Sequence, residues 1–139
     1  MDKAQLLLLK AELSNDPLSR GYSAMTNEQI VASLNEKNRD HNRDSISGQE
    51  MFYQTDATEY GALTDSKKTQ WISFCGIGEV DPFNATVVAL VQYIFGADSD
   101  TLDSLSAARV ELISRAQEGG IPLVTLEDVE KVKSNSDLA

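Results

Sequence analysis

Acid–base and nucleophilic catalysis at neutral pH draw first on histidine and cysteine, and this chain carries one of each, His41 and Cys75. A Ser-His-Asp or Cys-His arrangement needs the imidazole within hydrogen-bond reach of its nucleophile. His41 is bracketed by Asn38-Arg39-Asp40 and Asn42-Arg43-Asp44, a wholly polar run, and reads as a surface histidine. Cys75 closes the run Trp71-Ile72-Ser73-Phe74-Cys75 and reads as a core thiol that packs as a small hydrophobe. No Gly-x-Ser-x-Gly elbow presents a serine, and no second His or Cys completes a zinc site. Gly76-Ile77-Gly78-Glu79 follows a predicted helix and lacks the third glycine and the Lys-Ser/Thr pair of a phosphate cradle. The expectation is a protein with no catalytic residue, no cofactor and no dedicated metal, and therefore not an enzyme.

Two acidic clusters invite a calcium reading. In Asp40-His41-Asn42-Arg43-Asp44 side-chain oxygens alternate as at positions 1, 3 and 5 of an EF-hand loop. The sixth position is Ser45 instead of glycine, and the twelfth is Met51, with Glu50 one residue early. Asp98-Ser99-Asp100 continues into Leu102 where a third oxygen is needed. Both read better as capped loops. Carboxylate pairs such as Asp100 and Asp103, or Glu127 and Glu130, fall in first helical turns, where the helix dipole favours negative charge.

The elements that would position these residues are helices. Leu6, Leu9 and Leu13 share one face of a helix over about 3–13, which stops before Asp16-Pro17. Thr26-Asn27-Glu28-Gln29 is a capping box, followed by Ile30, Val31 and Leu34 on one face. Ser47-Gly48-Gln49-Glu50 and Asp56-Ala57-Thr58-Glu59 have the same form, and Thr64-Asp65 starts a helix that buries Trp71, Phe74 and Cys75. Asp81-Pro82 is a helix start with proline in the first turn. The stretch it opens, to Phe95, is the most apolar of the chain and suits the centre of a bundle, although its valines also fit a strand. Ser99 or Asp100 caps a long helix to about Glu118, with Leu112 and Ile113 inward, and Thr125 opens a last helix through Val132. The expected fold is all-α: one domain over 1–139, five to seven short helices around a central helix at about 82–95, with a frayed tail from about 134.

Between the second and third helices the run from Asn38 to Ser47 has one apolar residue, Ile46, and reads as a polar loop or arm. Arg39, Asp40, His41, Arg43 and Asp44 are its candidate protein contacts, because its arginines could pair with a neighbour's acidic surface.

At 139 residues the chain is long enough to fold without a disulfide or metal staple. It carries 12 Lys+Arg against 22 Asp+Glu, a net charge of −10. That balance opposes sequence-independent nucleic-acid binding, which needs a cationic stripe to displace counterions. The charge is uneven: residues 1–46 hold 6 basic and 7 acidic side chains, and residues 47–139 hold 6 and 15. No segment approaches the ~20 apolar residues of a membrane span, and Leu6 to Leu9 is too short for a signal peptide, so synthesis and residence in the cytoplasm are expected.

Several phrases occur in one order along the chain: Leu9-Lys10-Ala11-Glu12-Leu13 into Asn15-Asp16-Pro17-Leu18 and Arg20-Gly21-Tyr22; Leu34-Asn35; Asp56-Ala57-Thr58-Glu59; Asp81-Pro82-Phe83; Ile94-Phe95-Gly96; and Ala107-Ala108-Arg109-Val110-Glu111 with Ser114-Arg115-Ala116. In these phrases the chain resembles a family of small α-helical proteins encoded among the virion genes of tailed bacteriophages. It departs at Glu118-Gly119-Gly120-Ile121, where family members tend to show Glu-Leu-Gly-Leu. The resemblance implies a non-enzymatic virion structural or assembly protein, in particular a head–tail connector (a neck adaptor) or another tail-associated component. Its partners would be portal, tail or neck proteins and copies of itself. It would be made in the host cytoplasm and reside in the virion. An acidic inhibitor or DNA mimic that occupies a basic host protein is the alternative.

Overall fold

The computed structural model describes residues 1–134. It is mostly helical, and its contacts divide the chain into two compact units, Met1–His41 with Leu112–Ala139, and Asn42–Glu111.

In the first unit α1 (Lys3–Asn15) is opened by a reciprocal cap: Gln5 N–H donates to Asp2, and Asp2 N–H donates to the Gln5 side chain. Leu6 and Leu9 are its buried residues, and it ends at Asp16 in the left-handed region. The Asp16 carboxylate accepts the Arg20 and Gly21 amides at 2.7 Å each, which fixes the turn before a short 3-10 segment (Tyr22–Ala24). The Thr26–Gln29 box forms as read and starts α2 (Asn27–Asn35), burying Ile30 and Leu34. Further along the chain lie α8 (Arg115–Glu118), capped by Ser114, and α9 (Leu126–Ser134). Their Ala116, Val129 and Val132, with Ile121 and Val124 between, complete one core with Leu6, Leu9, Tyr22, Ile30 and Leu34. Asn35 binds the intervening segment as a backbone would: its amide donates to the Val124 carbonyl at 2.7 Å and its oxygen accepts the Val124 N–H at 3.0 Å.

The second unit holds β2 (Ile46–Ser47) paired antiparallel with β3 (Glu79–Val80), α3 (Gly48–Tyr53), α4 (Ala57–Gly61), α5 (Asp65–Cys75), α6 (Ala85–Phe95) and α7 (Asp100–Ala108). Its core gathers Ile46, Met51, Trp71, Val91, Ile94 and Leu105. Trp71 has no exposed surface; its indole N–H donates to Thr55 Oγ1 at 3.0 Å and its ring stands edge-on to Phe95 at 4.9 Å.

Several expectations are corrected. The chain is not purely helical: β1 (Lys37–Asn42) pairs with β4 (Val110–Ser114), and β2 with β3. The supposed polar loop is therefore mostly strand, and the long helix to Glu118 stops at Ala108. Strand pairing is made by backbone groups, so a run without an apolar face can form a ladder that no hydrophobic period announces. Leu112, read as facing inward, is exposed. The apolar helix also begins later: Asn84, not Asp81, caps α6, accepting the Thr86 and Val87 amides, while Asp81 accepts the Phe83 amide in the preceding turn. α6 does not centre one bundle, because the two cores are separate and it contributes only Val91 and Ile94 to the buried set of the second. Of the tail expected to fray from about 134, Ser134 closes α9, and 135–139 lie outside the described residues.

Candidate functional site

The five residues read as a contact arm are not used alike. Arg39, on β1, holds Glu118 with its Nε at 3.1 Å. Arg43 makes a two-pronged pair with Glu50, 2.8 Å on each prong, and donates to the Ala108 carbonyl at 3.1 Å. Hydrogen bonding from Arg43 holds the Glu50 carboxyl below the usual carboxylate range. Both arginines thus have carboxylate partners within the chain, while Asp40, His41 and Asp44 are exposed. No three His, Cys, Asp or Glu side chains among the described residues are grouped so as to hold a metal ion.

The strongest polar centre lies in the first unit. Arg115 grips Glu12 through Nε and a terminal nitrogen at 2.9 and 3.0 Å and reaches Glu118 at 2.6 Å, and Tyr22 donates its hydroxyl to Glu12 at 2.9 Å. Burial pushes the Glu12 carboxyl up, but the hydrogen bonds from Arg115 and Tyr22 and the positive charge of Arg115 and Arg20 outweigh it and leave it low. Burial and the bond to Glu12 push the Tyr22 hydroxyl up. A carboxylate held ionised and a phenol held protonated are the reverse of a poised acid–base pair. The cluster is a clamp between α1 and α8.

The second unit exposes the more distinctive surface. α3 and α5 pack so closely that a Cβ at Gly48 would overlap the Cys75 carbonyl. Beside that contact runs an open groove lined by Gln49, Phe52, Tyr53, Ile72, Cys75 and Gly76, with Ile77 next along the chain. Tyr53 is 72% exposed, Ile77 62%, Ile72 53% and Phe52 41%. Contiguous exposed aromatic and aliphatic side chains are the composition of protein-contact surfaces. Burial pushes the Cys75 thiol up to about 11, so the cysteine in this groove is a weak nucleophile at neutral pH.

A narrow apolar pocket between Ile46, Met51, Val87, Val91, Leu102 and Leu105 holds about 30 Å³, room for one water and not for a metabolite. The charge also divides with the units: the second carries 4 basic against 11 acidic residues, net −7, and the first 8 against 11. In the second, each basic side chain is engaged, Arg43 with Glu50, Lys67 over Tyr93, Lys68 over Tyr60 and Arg109 over Phe83.

Sequence reasoning did not find the groove. Ile72 was assigned to the same apolar run as Trp71, and nothing in the spacing of Phe52 and Tyr53 says which side of a six-residue helix is covered. Gly48, with no side chain, lets α3 approach α5 closely beside the groove. Set against known protein families, characterised proteins and solved structures, the chain matches none.

Proposed function

We propose that this protein is a non-enzymatic structural or assembly component of a tailed-bacteriophage virion, a head–tail connector or other tail-associated protein present in repeated copies. The phrase-level resemblance along the chain supports the phage assignment. The observation that carries the contact role is the exposed groove of Phe52, Tyr53 and Ile72, with Ile77 exposed next along the chain, a composition suited to contact with protein. The pairs Glu12–Arg115 and Arg43–Glu50 are ion pairs whose carboxyls are held below the usual carboxylate range. Mass spectrometry of purified virions tests the reading. Stoichiometric presence with a ring-like copy number supports the connector assignment; absence from the particle overturns it.

A second reading is favoured by one feature, the net −7 of the second unit with its basic side chains already engaged. An acidic inhibitor or DNA mimic would present that charge to a basic host protein. It requires absence from virions together with salt-sensitive binding to a host nuclease or polymerase.

A further inference from the structure

We infer that the first unit holds a binding site for a small organic phosphate, in a cavity where Lys10 and Lys133 take the phosphate and Leu13, Ile30 and Val132 take an apolar body. The site does not depend on the virion reading.

The cavity is built from four elements of one unit. Lys10, Leu13 and Ser14 stand at i, i+3 and i+4 of α1 and so share a face. Tyr22 and Ser23 come from the 3-10 segment, Ile30 from α2, and Val132 and Lys133 from α9. The volume is about 390 Å³, within the range of small-molecule sites. The 3-10 wall is fixed by residues that do not line the cavity. Asp16 accepts the Arg20 and Gly21 amides, and Glu12 accepts the Tyr22 hydroxyl. Ile30 and Val132 are buried members of the first core, so an apolar body placed against them displaces water from apolar surface.

Charge decides what else the cavity takes. No carboxylate is among the described residues that line it, in a chain of net −10. Most basic side chains of this unit are engaged: Arg20 with Ser33, Arg39 with Glu118, Arg115 with Glu12, Lys131 with Glu127, and Lys3 with a partner of its own. Lys37 lines a different, smaller cavity. Among the described residues the side chains of Lys10 and Lys133 form no ion pair, and the hydroxyls of Ser14 and Ser23 form no hydrogen bond. The acidic residues nearest to the lysines in the described chain do not neutralise them. Asp2 caps the Gln5 amide, Glu12 holds Arg115, Asp16 holds backbone amides, and Glu130, one turn before Lys133, makes no ion pair with it.

Two ammonium groups on one cavity repel until an anion joins them. Neutralising both takes roughly two negative charges, which a phosphate monoester carries at neutral pH and a carboxylate does not. The two serine hydroxyls supply further donors. The surrounding unit has more acidic than basic residues, so it suits one phosphate and not a nucleic-acid backbone, which needs a cationic stripe.

An amide NMR titration of the full chain with phenyl phosphate, at constant ionic strength, tests this against benzoate and inorganic phosphate. Lys10→Met and Lys133→Met are the variants, with Lys10→Gln and Lys133→Gln as second choices, and circular dichroism checks that each folds. Phenyl phosphate is expected to saturate, to move the amides of the lining residues, and to leave those of the second unit in place. It should bind more tightly than benzoate, which has one charge, and than inorganic phosphate, which has no apolar body. Each lysine variant should weaken it about tenfold or more, the loss of one charged hydrogen bond. No saturation by about 10 mM phenyl phosphate overturns the inference. So do shifts centred outside the cavity, and lysine variants that bind as the wild type does. Equal binding of benzoate would show that the double charge is not read, and equal binding of inorganic phosphate that the apolar floor is not used; either overturns the assignment to an organic phosphate.

Discussion

Trp71 shows how one side chain can carry much of a small core. Its ring is fully enclosed, edge-on to Phe95 and 5.9 Å from Phe74, and its N–H has a partner in Thr55. Truncating a buried aromatic costs about 3–5 kcal/mol, a large share of the ~5–15 kcal/mol that holds a domain together. Trp71→Ala is expected to lose that much in urea unfolding; wild-type stability would mean the second core does not depend on the indole. Arg115 is the corresponding residue for charge. With Arg115→Met the Glu12 carboxylate, largely buried, keeps only Tyr22 as a close donor, at a cost of about 1.5–3 kcal/mol for the lost charged hydrogen bonds. The sign with pH follows from Glu12 being held low in the folded state. Its contribution is present above the ordinary carboxylate range and is lost as pH falls through the lowered folded value. The wild type should therefore lose stability on acidification below that range, and Arg115→Met should lose less over the same interval because its Glu12 is no longer held low. Parallel melting curves from pH 7 to 3 check this, and identical slopes would refute it.

At the scale of elements, the contact of α3 with α5 depends on Gly48. A methyl group there would overlap backbone atoms of Cys75, which cannot rotate away, whereas one at Gly61 would meet nothing within 4 Å. Gly48→Ala is expected to cost ~3 kcal/mol or more, and Gly61→Ala to be neutral or slightly stabilising because alanine restricts the unfolded chain. Thermal melting of the two variants compares them directly. The same contact shows what the sequence could reveal. Helix starts were legible at Thr26, Ser47, Asp56, Thr64 and Ser99, because a cap is a local bond between a side chain and a backbone amide three residues on. Two of the boxes were legible only by half. Glu50 turns away from Ser47 to hold Arg43, and Glu59 leaves Asp56 to cap α7 through the Asp100 and Thr101 amides. Those partners lie 7, 41 and 42 residues off, beyond any local rule. β1 and β4 were missed for a related reason, since their pairing joins segments separated by nearly all of the second unit. The groove was illegible because the exposure of Phe52, Tyr53 and Ile72 is set by tertiary packing, and the close approach at Gly48 leaves no local signal, since a glycine in a capping box reads as neutral.

For the molecule as a whole the governing quantity is a net charge of −10 spread unequally, with −7 on residues 42–111. Two kinds of electrostatic interaction coexist there, and salt separates them. Arg43–Glu50, at 2.8 Å, is much shorter than any screening length reached in ordinary buffers. Repulsion among exposed carboxylates such as Asp44, Asp65, Asp98 and Asp103 acts over longer distances. The Debye length is about 30 Å at 10 mM salt and about 8 Å at 150 mM, so raising the salt removes most of the repulsion and leaves the contact pair nearly intact. Melting temperature at pH 7 should therefore rise between 10 and 150 mM sodium chloride. For a chain of this size each kcal/mol moves the midpoint by about 2–4 °C. Asp98 isolates the effect, because it is exposed in the turn before α7 and lies outside both helices that form the groove. Asp98→Lys reduces the charge of the second unit by two. It should raise the melting temperature at 10 mM salt, and the gain should shrink at 150 mM. A midpoint that falls with salt in the wild type would show that attraction within pairs outweighs the repulsion, and an Asp98→Lys gain that survives at 150 mM would place its origin in local structure instead of charge.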